Sequence, residues 1–191
     1  MTKKETVGSF VSSRIAMLQN GTPWAKAQLA KLRRCVNKPL EESQDCWEFI
    51  FSGIPDELVS RTKSSEPSPS ENAVLTALTL YATHQQGSSA SVNTPNVRFG
   101  SAANMLVDQK NADAIKRRFD TIVTSQDLSE LSVHVRSLIQ LMKSSDRPIG
   151  FDYRLFAMDL YDFQFDDSRS NVQKRWAVDF YKKNVLKDEK E

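Results

Sequence analysis

The chain has 191 residues, of which 39% are hydrophobic and 26% charged, and its formal net charge is +2. A chain of this length can bury one ordinary core or form two small helical halves. With only 6 Gly and 7 Pro, it lacks the frequent turn residues of an all-β protein, so we expect an all-α fold. No apolar stretch is long enough for a signal peptide or a membrane span, which predicts a cytoplasmic protein without membrane contact.

The first predicted helix opens at Thr22 and Pro23, which have the residue types of an N-cap and a first helical position. Its apolar residues keep to one face, and it should stop near Pro39. Cys35 and Cys46 lie on either side of this proline and belong to no metal-ligand or redox motif. We expect them to be a reduced, structural thiol pair.

A short helix is predicted over residues 45–51, and a loop rich in Ser and Pro over 62–70. Ser68 and Glu71 have the spacing of a capping box, which predicts a helix that ends before Gly87. Three apolar residues of that helix are expected in the core, namely Val74, Leu78 and Tyr81.

The C-terminal half is predicted to hold four or five helices. Their approximate ranges are 98–107, 112–124, 128–142, 152–165 and 170–186. The third has a capping box at Asp127 and Glu130 and a regular apolar stripe. In total we expect a bundle of about eight to nine helices in two closely packed lobes, residues 1–86 and 98–191, joined by a polar linker over 87–97.

Two helices give specific packing predictions. The predicted helix over 152–165 is apolar on two sides, and the second side, with Met158, Tyr161 and Phe165, should be covered by another helix or by a partner subunit. On the last helix, Trp176 and Phe180 fall one turn apart and should be core residues.

The sequence lacks a recognisable catalytic motif. It contains two histidines, no serine elbow and no glycine-rich phosphate loop. His84 lies near a helix C-terminus, where it can meet the terminal carbonyls, and His134 lies at the boundary of its core stripe. We therefore expect no enzyme, no cofactor and no small-molecule substrate.

An acidic stripe offers the one enzymatic alternative. Asp159, Asp162 and Asp166 have i, i+3, i+7 spacing, which would place three carboxylates on one helix face where they could hold a divalent cation. A metal-dependent hydrolase is thus a rival hypothesis, but a solvated or salt-bridged acidic face explains the stripe better.

Charge is strongly polarised along the chain. Residues 1–38 hold eight basic side chains against Glu5 alone, whereas residues 41–71 hold eight acids against Arg61 and Lys63. In the first predicted helix, Lys31, Arg34 and Lys38 point away from the core side, and Lys26 and Arg33 lie at one flank. Such a chain can present a basic face to a polyanion while staying nearly neutral.

Seven short blocks resemble the CasB family, in the family's own order. They are LAKLRR at 29–34, LTLYATHQQ at 78–86, FGSA at 99–102, IKRRF at 115–119, HVRSLI at 134–139, DYRLFAMDLY at 152–161 and RWAVDFY at 175–181. Each block alone is weak, but seven in order are hard to obtain by chance.

The resemblance implies the non-catalytic small subunit of the type I-E CRISPR complex Cascade. Its implied partners are a second copy in a dimer, the Cascade backbone and large subunits, the guide RNA, and the target and displaced DNA strands of the R-loop. In the family, basic surface residues help to retain the DNA strands. The resemblance implies the same role for the basic residues of the matching blocks, namely Lys31, Arg33, Arg34, Arg117, Arg118 and Arg136.

A helical adaptor that binds only protein is the alternative from another class. In that case the basic side chains would be solvated faces, and the chain would not bind a single DNA strand at low salt.

Overall fold

The computed structural model describes residues 1–60 and 66–182, which form nine α-helices and one 3₁₀ turn. The α-helices are α1 Lys3–Leu18, α2 Pro23–Arg34, α3 Gln44–Phe51, α4 Pro69–Gln85, α5 Phe99–Asn104, α6 Ala112–Val123, α7 Leu128–Lys143, α8 Tyr153–Phe163 and α9 Asp166–Tyr181. The 3₁₀ turn spans Leu40–Glu42. Within the described ranges there is no β-sheet, so the all-α prediction is confirmed.

Helix starts follow the capping chemistry of the sequence. The Thr22 side chain accepts a hydrogen bond from the Ala25 amide and Pro23 takes the first helical position. Both bonds of the Ser68–Glu71 capping box are formed. At α7 the Asp127 side chain accepts from the Glu130 amide.

The α7 capping box is not reciprocal. Glu130 accepts from the amide of Gln126 instead of the amide of Asp127. Since Gln126 precedes the N-cap, the Glu130 hydrogen bond fixes the residue just before the helix and not the N-cap residue Asp127.

Helix α4 is the central element, because it is buried on nearly all sides. Every residue from Ala77 to His84 is buried, and α1, α2, α7 and α8 pack around it. A helix that is apolar all round belongs in the interior, and the other helices need bury only one stripe each. Helices α2 and α7, which carry part of the basic residues, are therefore held on a common support.

Helix α1 covers the second side of α8. The two helices approach closely at Gly8, where an added Cβ would lie 2.8 Å from Met158 Cγ. Met158 and Tyr161 are half-buried, while Phe165 remains 40% exposed because α8 ends at Phe163. The predicted coverage therefore comes from α1 of the same chain at Met158 and does not reach Phe165.

Trp176 and Phe180 are fully buried, as predicted. Phe180 stacks on Phe119 at a centroid distance of 4.0 Å, and Trp176 contacts Phe99 and Phe156. These rings join α5, α6 and α8 to α9.

Several predicted boundaries were wrong. Helix α8 ends two residues early and α9 begins at Asp166 instead of 170, so only Gln164 and Phe165 connect the two helices. Helix α5 is shorter than the predicted range 98–107, and Ser70 lies in α4 and not in the preceding loop. The predicted end of the last helix at 186 and residues 62–65 of that loop lie outside the described residues.

The segment 87–97 is fixed to the chain before α8. The Phe151 amide donates to the Val92 carbonyl, the Thr94 amide donates to the Phe151 carbonyl, and the Asp152 amide donates to the Val97 carbonyl. Buried residues on both sides of the segment share one hydrophobic core. The division into two lobes stays a prediction.

Candidate nucleic-acid interface

Helices α2 and α7 both pack on α4, and a hydrogen bond joins α7 to the segment that follows α2. The Ser132 hydroxyl on α7 donates to the Asn37 side chain at 2.8 Å. At 100° per residue, Ser132, Arg136 and Lys143 fall within about 40° of one another on α7. The face of α7 that carries these three residues therefore lies toward the C-terminal end of α2.

We define the α2–α7 basic cluster as two cations on one face of α2, Lys26 and Arg33, and two on this face of α7, Arg136 and Lys143. Burial lowers the pKa of Lys143, and repulsion from Arg33 lowers it further, so these two charges are neighbours. The Lys143 ammonium donates to Gln86 at 3.3 Å. Arg136 lies on the same α7 face, half-buried, with its Nε buried and without a hydrogen-bond partner.

A surface cavity of about 460 Å³ adjoins the cluster. Lys26 and Arg33 lie on its wall, together with glutamines from the ends of α1 and α4 and serines from the segment 87–97, and no Asp or Glu lines it. No carboxylate lies within ion-pair distance of the four cations in the described parts of the chain. The cluster is therefore an uncompensated positive surface.

The six residues predicted from the resemblance do not form one face. Arg33 and Arg136 belong to the cluster, whereas Lys31 is half-buried on the opposite flank of α2. Arg34 is exposed and forms an ion pair with Asp45 at 3.1 Å. Because α2 ends at Arg34, Lys38 lies outside the helix, and its predicted place on the outer face of this helix was wrong.

On α6, Arg117 is exposed and points away from the core, and Arg118 turns toward α7. The Arg118 guanidinium donates to Ser137 at 3.2 Å. Ser137 lies about 100° around α7 from Arg136, so Arg118 contacts a different face of α7 from the one that carries Arg136 and Lys143. Basic side chains thus lie at two faces of α7.

Sequence reasoning missed Lys143 and left Lys26 out of the site. The i, i+7 spacing of Arg136 and Lys143 was visible in the sequence and predicts a shared α7 face. What the sequence could not give is the proximity of Arg33, because 110 residues of chain separate it from Lys143 and only packing on α4 joins them.

The acidic stripe does not form a metal site. Asp166 begins α9, so the three aspartates do not share one helix. Asp159 accepts hydrogen bonds from Arg175 at 2.5 Å and from Trp176 at 2.7 Å, and Asp162 pairs with Lys4 at 3.0 Å. Within the described residues, no three His, Cys, Asp or Glu side chains are placed to hold a metal ion.

The histidines and cysteines have structural contacts. His84 is buried, and its ring nitrogens lie 3.0 Å from the Tyr153 hydroxyl and 3.0 Å from the Ile149 carbonyl. The prediction that His84 meets the terminal carbonyls of its own helix was therefore wrong, because the ring bonds residues of another segment. Cys35 and Cys46 are both buried and reduced, which confirms the thiol pair, and burial raises the pKa of Cys46. His134 is partly exposed beside Glu130.

No described helix has both the length and the apolar character that a bilayer crossing requires.

Solved structures with the same fold are known. CasB from Thermobifida fusca has 27% sequence identity and a TM-score of 0.78, over 92% of this chain and 97% of that one. CasB from M. ruber has 23% identity and a TM-score of 0.68, over 94% and 96%. A chain of a CRISPR RNA-guided surveillance complex has 17% identity and a TM-score of 0.71, over 97% and 99%.

Comparison with curated protein sequences gives no significant match. The family model described as CRISPR-associated protein Cse2 matches residues 28–181, which include every member of the α2–α7 basic cluster except Lys26. The chain therefore belongs to the Cse2 family of CRISPR-associated proteins.

Proposed function

We propose that the chain is a non-catalytic subunit of a type I-E CRISPR surveillance complex and binds nucleic-acid backbone through the α2–α7 basic cluster. There it stabilises the R-loop, in contact with the guide RNA, the target and displaced DNA strands, the backbone and large subunits, and a second copy of itself. Family membership supports a role in the complex, as does the likeness in fold to a chain of a CRISPR RNA-guided surveillance complex.

The uncompensated charge of the cluster is the observation that carries the proposal. Holding Arg33 beside Lys143 lowers the stability of the free chain slightly, and an anion that enters between them removes this repulsion. The neighbouring cavity leaves room for a phosphate and its sugar. A phosphate backbone supplies such charge along its whole length.

The contacts would be independent of base sequence. Arg and Lys heads that reach phosphates position a strand without reading it. Sequence recognition is then left to pairing with a guide RNA, as in RNA-guided systems generally. A few phosphate contacts give weak affinity, so we expect tight retention only where other subunits hold the strand close.

The test is strand retention by the complex reconstituted with a guide RNA. The double variant Arg33→Glu/Arg136→Glu should assemble normally but release the displaced strand faster than the wild type. Lys174→Glu is the matched control, because it reverses one exposed charge on α9, outside the cluster. It should release the strand at the wild-type rate.

Other outcomes would favour the adaptor. If the double variant assembles and holds both strands like the wild type, the cluster does not bind nucleic acid, and a protein-only adaptor becomes the better account. If the double variant fails to join the complex while its fold is intact, the cluster contacts a protein subunit instead.

A further inference from the structure

Arg14 on α1 is a buried cation without an acidic partner. It is 8% exposed, and its guanidinium carbon lies 4.7 Å from the centre of the Phe10 ring and 5.4 Å from that of Phe49. Its Nε is buried without a hydrogen-bond partner, and Nη1 lies 3.4 Å from the Met17 sulfur. No carboxylate in the described part of the chain forms an ion pair with it.

This arrangement is costly for the free chain. Burial lowers the pKa of Arg14, and no acid acts in the opposite direction. The two rings attract the cation, but ring contacts replace only part of the hydration that a guanidinium loses. Arg14 also has a fork of donors that suits a carboxylate, and in the described part of the chain the fork contacts only the Met17 sulfur, through Nη1.

The guanidinium approaches the surface beside Gly53. A Cβ at this position would lie 3.8 Å from Arg14 Nη2, so the glycine leaves that nitrogen uncovered, and its φ of +67° favours glycine there. Two exposed apolar side chains belong to the same area. Met17 is 41% exposed next to Arg14, and Trp24 is 45% exposed with its ring 5.8 Å from Phe49.

The charge of the neighbouring segment indicates which anion fits. Residues 41–57, which include α3 and Gly53, hold six acids and no Lys or Arg. A nucleic acid would bring many phosphates against these acids, whereas a protein can bring one carboxylate with apolar and basic neighbours. The apolar cover at Met17 and Trp24 also suits a protein segment better than a sugar–phosphate chain.

We infer that Arg14, Met17, Trp24 and Gly53 form a docking site for a partner protein, which inserts an Asp or Glu carboxylate against Arg14 and covers Met17 and Trp24 with an adjacent apolar side chain. The site does not use the α2–α7 basic cluster, so this inference does not depend on nucleic-acid binding.

The probe is a pair of blocked dipeptides, N-acetyl-Leu-Asp-amide and N-acetyl-Leu-Asn-amide, followed through the NMR signal of the Trp24 indole. The signal is assigned with Trp24→Phe. The aspartyl dipeptide should shift it with an affinity of about millimolar. The asparaginyl dipeptide should bind at least tenfold more weakly, because it lacks the charge.

Two variants separate recognition from folding. Arg14→Met keeps most of the buried volume and removes the unpaired charge, so it should melt at or above the wild-type temperature while losing the preference for aspartate. Arg14→Lys keeps a charge without the fork and should bind the aspartyl dipeptide several-fold more weakly. Arg117→Met is the matched control, and its dipeptide binding should be unchanged.

Three results would overturn the inference. The first is equal binding of both dipeptides, which would mean an apolar patch without carboxylate recognition. The second is an unchanged preference for aspartate in both Arg14 variants. The third is a stronger Trp24 response to inorganic phosphate or oligothymidylate than to the aspartyl dipeptide, which would indicate a phosphate site.

Discussion

The α2–α7 basic cluster and the contact between α8 and α9 both hold charges in half-buried positions, but they treat charge in opposite ways. At α8–α9, the Asp159 carboxylate accepts from Arg175 and from the buried Trp176 indole. Burial raises the pKa of Asp159, and the Arg175 charge partly offsets this effect. In the cluster, Arg33 and Lys143 repel each other, and no described acid lies within ion-pair distance.

The difference separates charge that serves the fold from charge that serves a partner. A carboxylate with two donors fixes the register of two helices, and removing one member leaves the other buried and unpaired. Repulsion between Arg33 and Lys143 lowers the stability of the fold, so their retention at one place calls for another explanation. Mutations in the two regions should therefore affect different measurements.

The largest effect is expected at Trp176. Replacing it with Ala removes a fully buried ring and its bond to Asp159, and the free energy of unfolding should fall by about 3 to 5 kcal/mol. Denaturant unfolding of the isolated chain measures this loss. If Trp176→Ala unfolds at nearly the wild-type midpoint, α9 is not docked as described.

The second-largest effect is expected on acidification, which should lower the free energy of unfolding through His84. Burial lowers the pKa of His84 from its usual 6.5 to about 4, since the protonated ring would be buried against α8. The unfolded chain therefore binds the proton first. Stability should be complete above about pH 6.5 and fall toward pH 4, with a slope of up to about 1.4 kcal/mol per pH unit.

The informative window is pH 6.5 to 5, before most carboxylates titrate. In this window His84→Asn should lose the slope, while His134→Asn, at a partly exposed position, should keep it. A wild-type stability that stays flat over the window would contradict the neutral, buried state of His84.

The smallest effects are expected at Arg34 and Arg117. Both are exposed, so Arg117→Glu should change the free energy of unfolding by less than about 0.5 kcal/mol. Arg34→Glu should cost slightly more, up to about 1 kcal/mol, because it faces Asp45. Thermal melts of both variants test the order, and a larger loss for Arg117→Glu would reverse it.

Sequence patterns predicted the helices best where the end carries a capping residue. Thr22, Ser68 and Asp127 marked their helices correctly because a side-chain oxygen next to an apolar stripe is a local signal. Helix α1 was not predicted individually, although Thr2 and Glu5 form a capping box that marks its start. The junction between α8 and α9 has no such signal, since Phe165 caps α9 without a side-chain bond.

The candidate site was predictable in its parts but not in its assembly. Helical spacing predicts that Arg33 points sideways from α2 and that Arg136 lies off the core stripe of α7. Which flank of α2 meets α7 depends on how both helices pack on α4, and no local pattern specifies that. The same reason explains Arg34, whose partner Asp45 is set by the fold of the connection to α3.

The central claim is that the α2–α7 basic cluster binds phosphates, and the salt dependence of strand binding tests it most directly. The measurement is the affinity of the chain for oligothymidylate across a salt series, for the wild type, Arg33→Gln/Arg136→Gln and Lys174→Gln. If each arginine contacts one phosphate, the double variant should flatten the slope of log K against log salt by roughly 1.4, while Lys174→Gln leaves it unchanged. A double variant that folds normally and keeps the wild-type slope would contradict the claim.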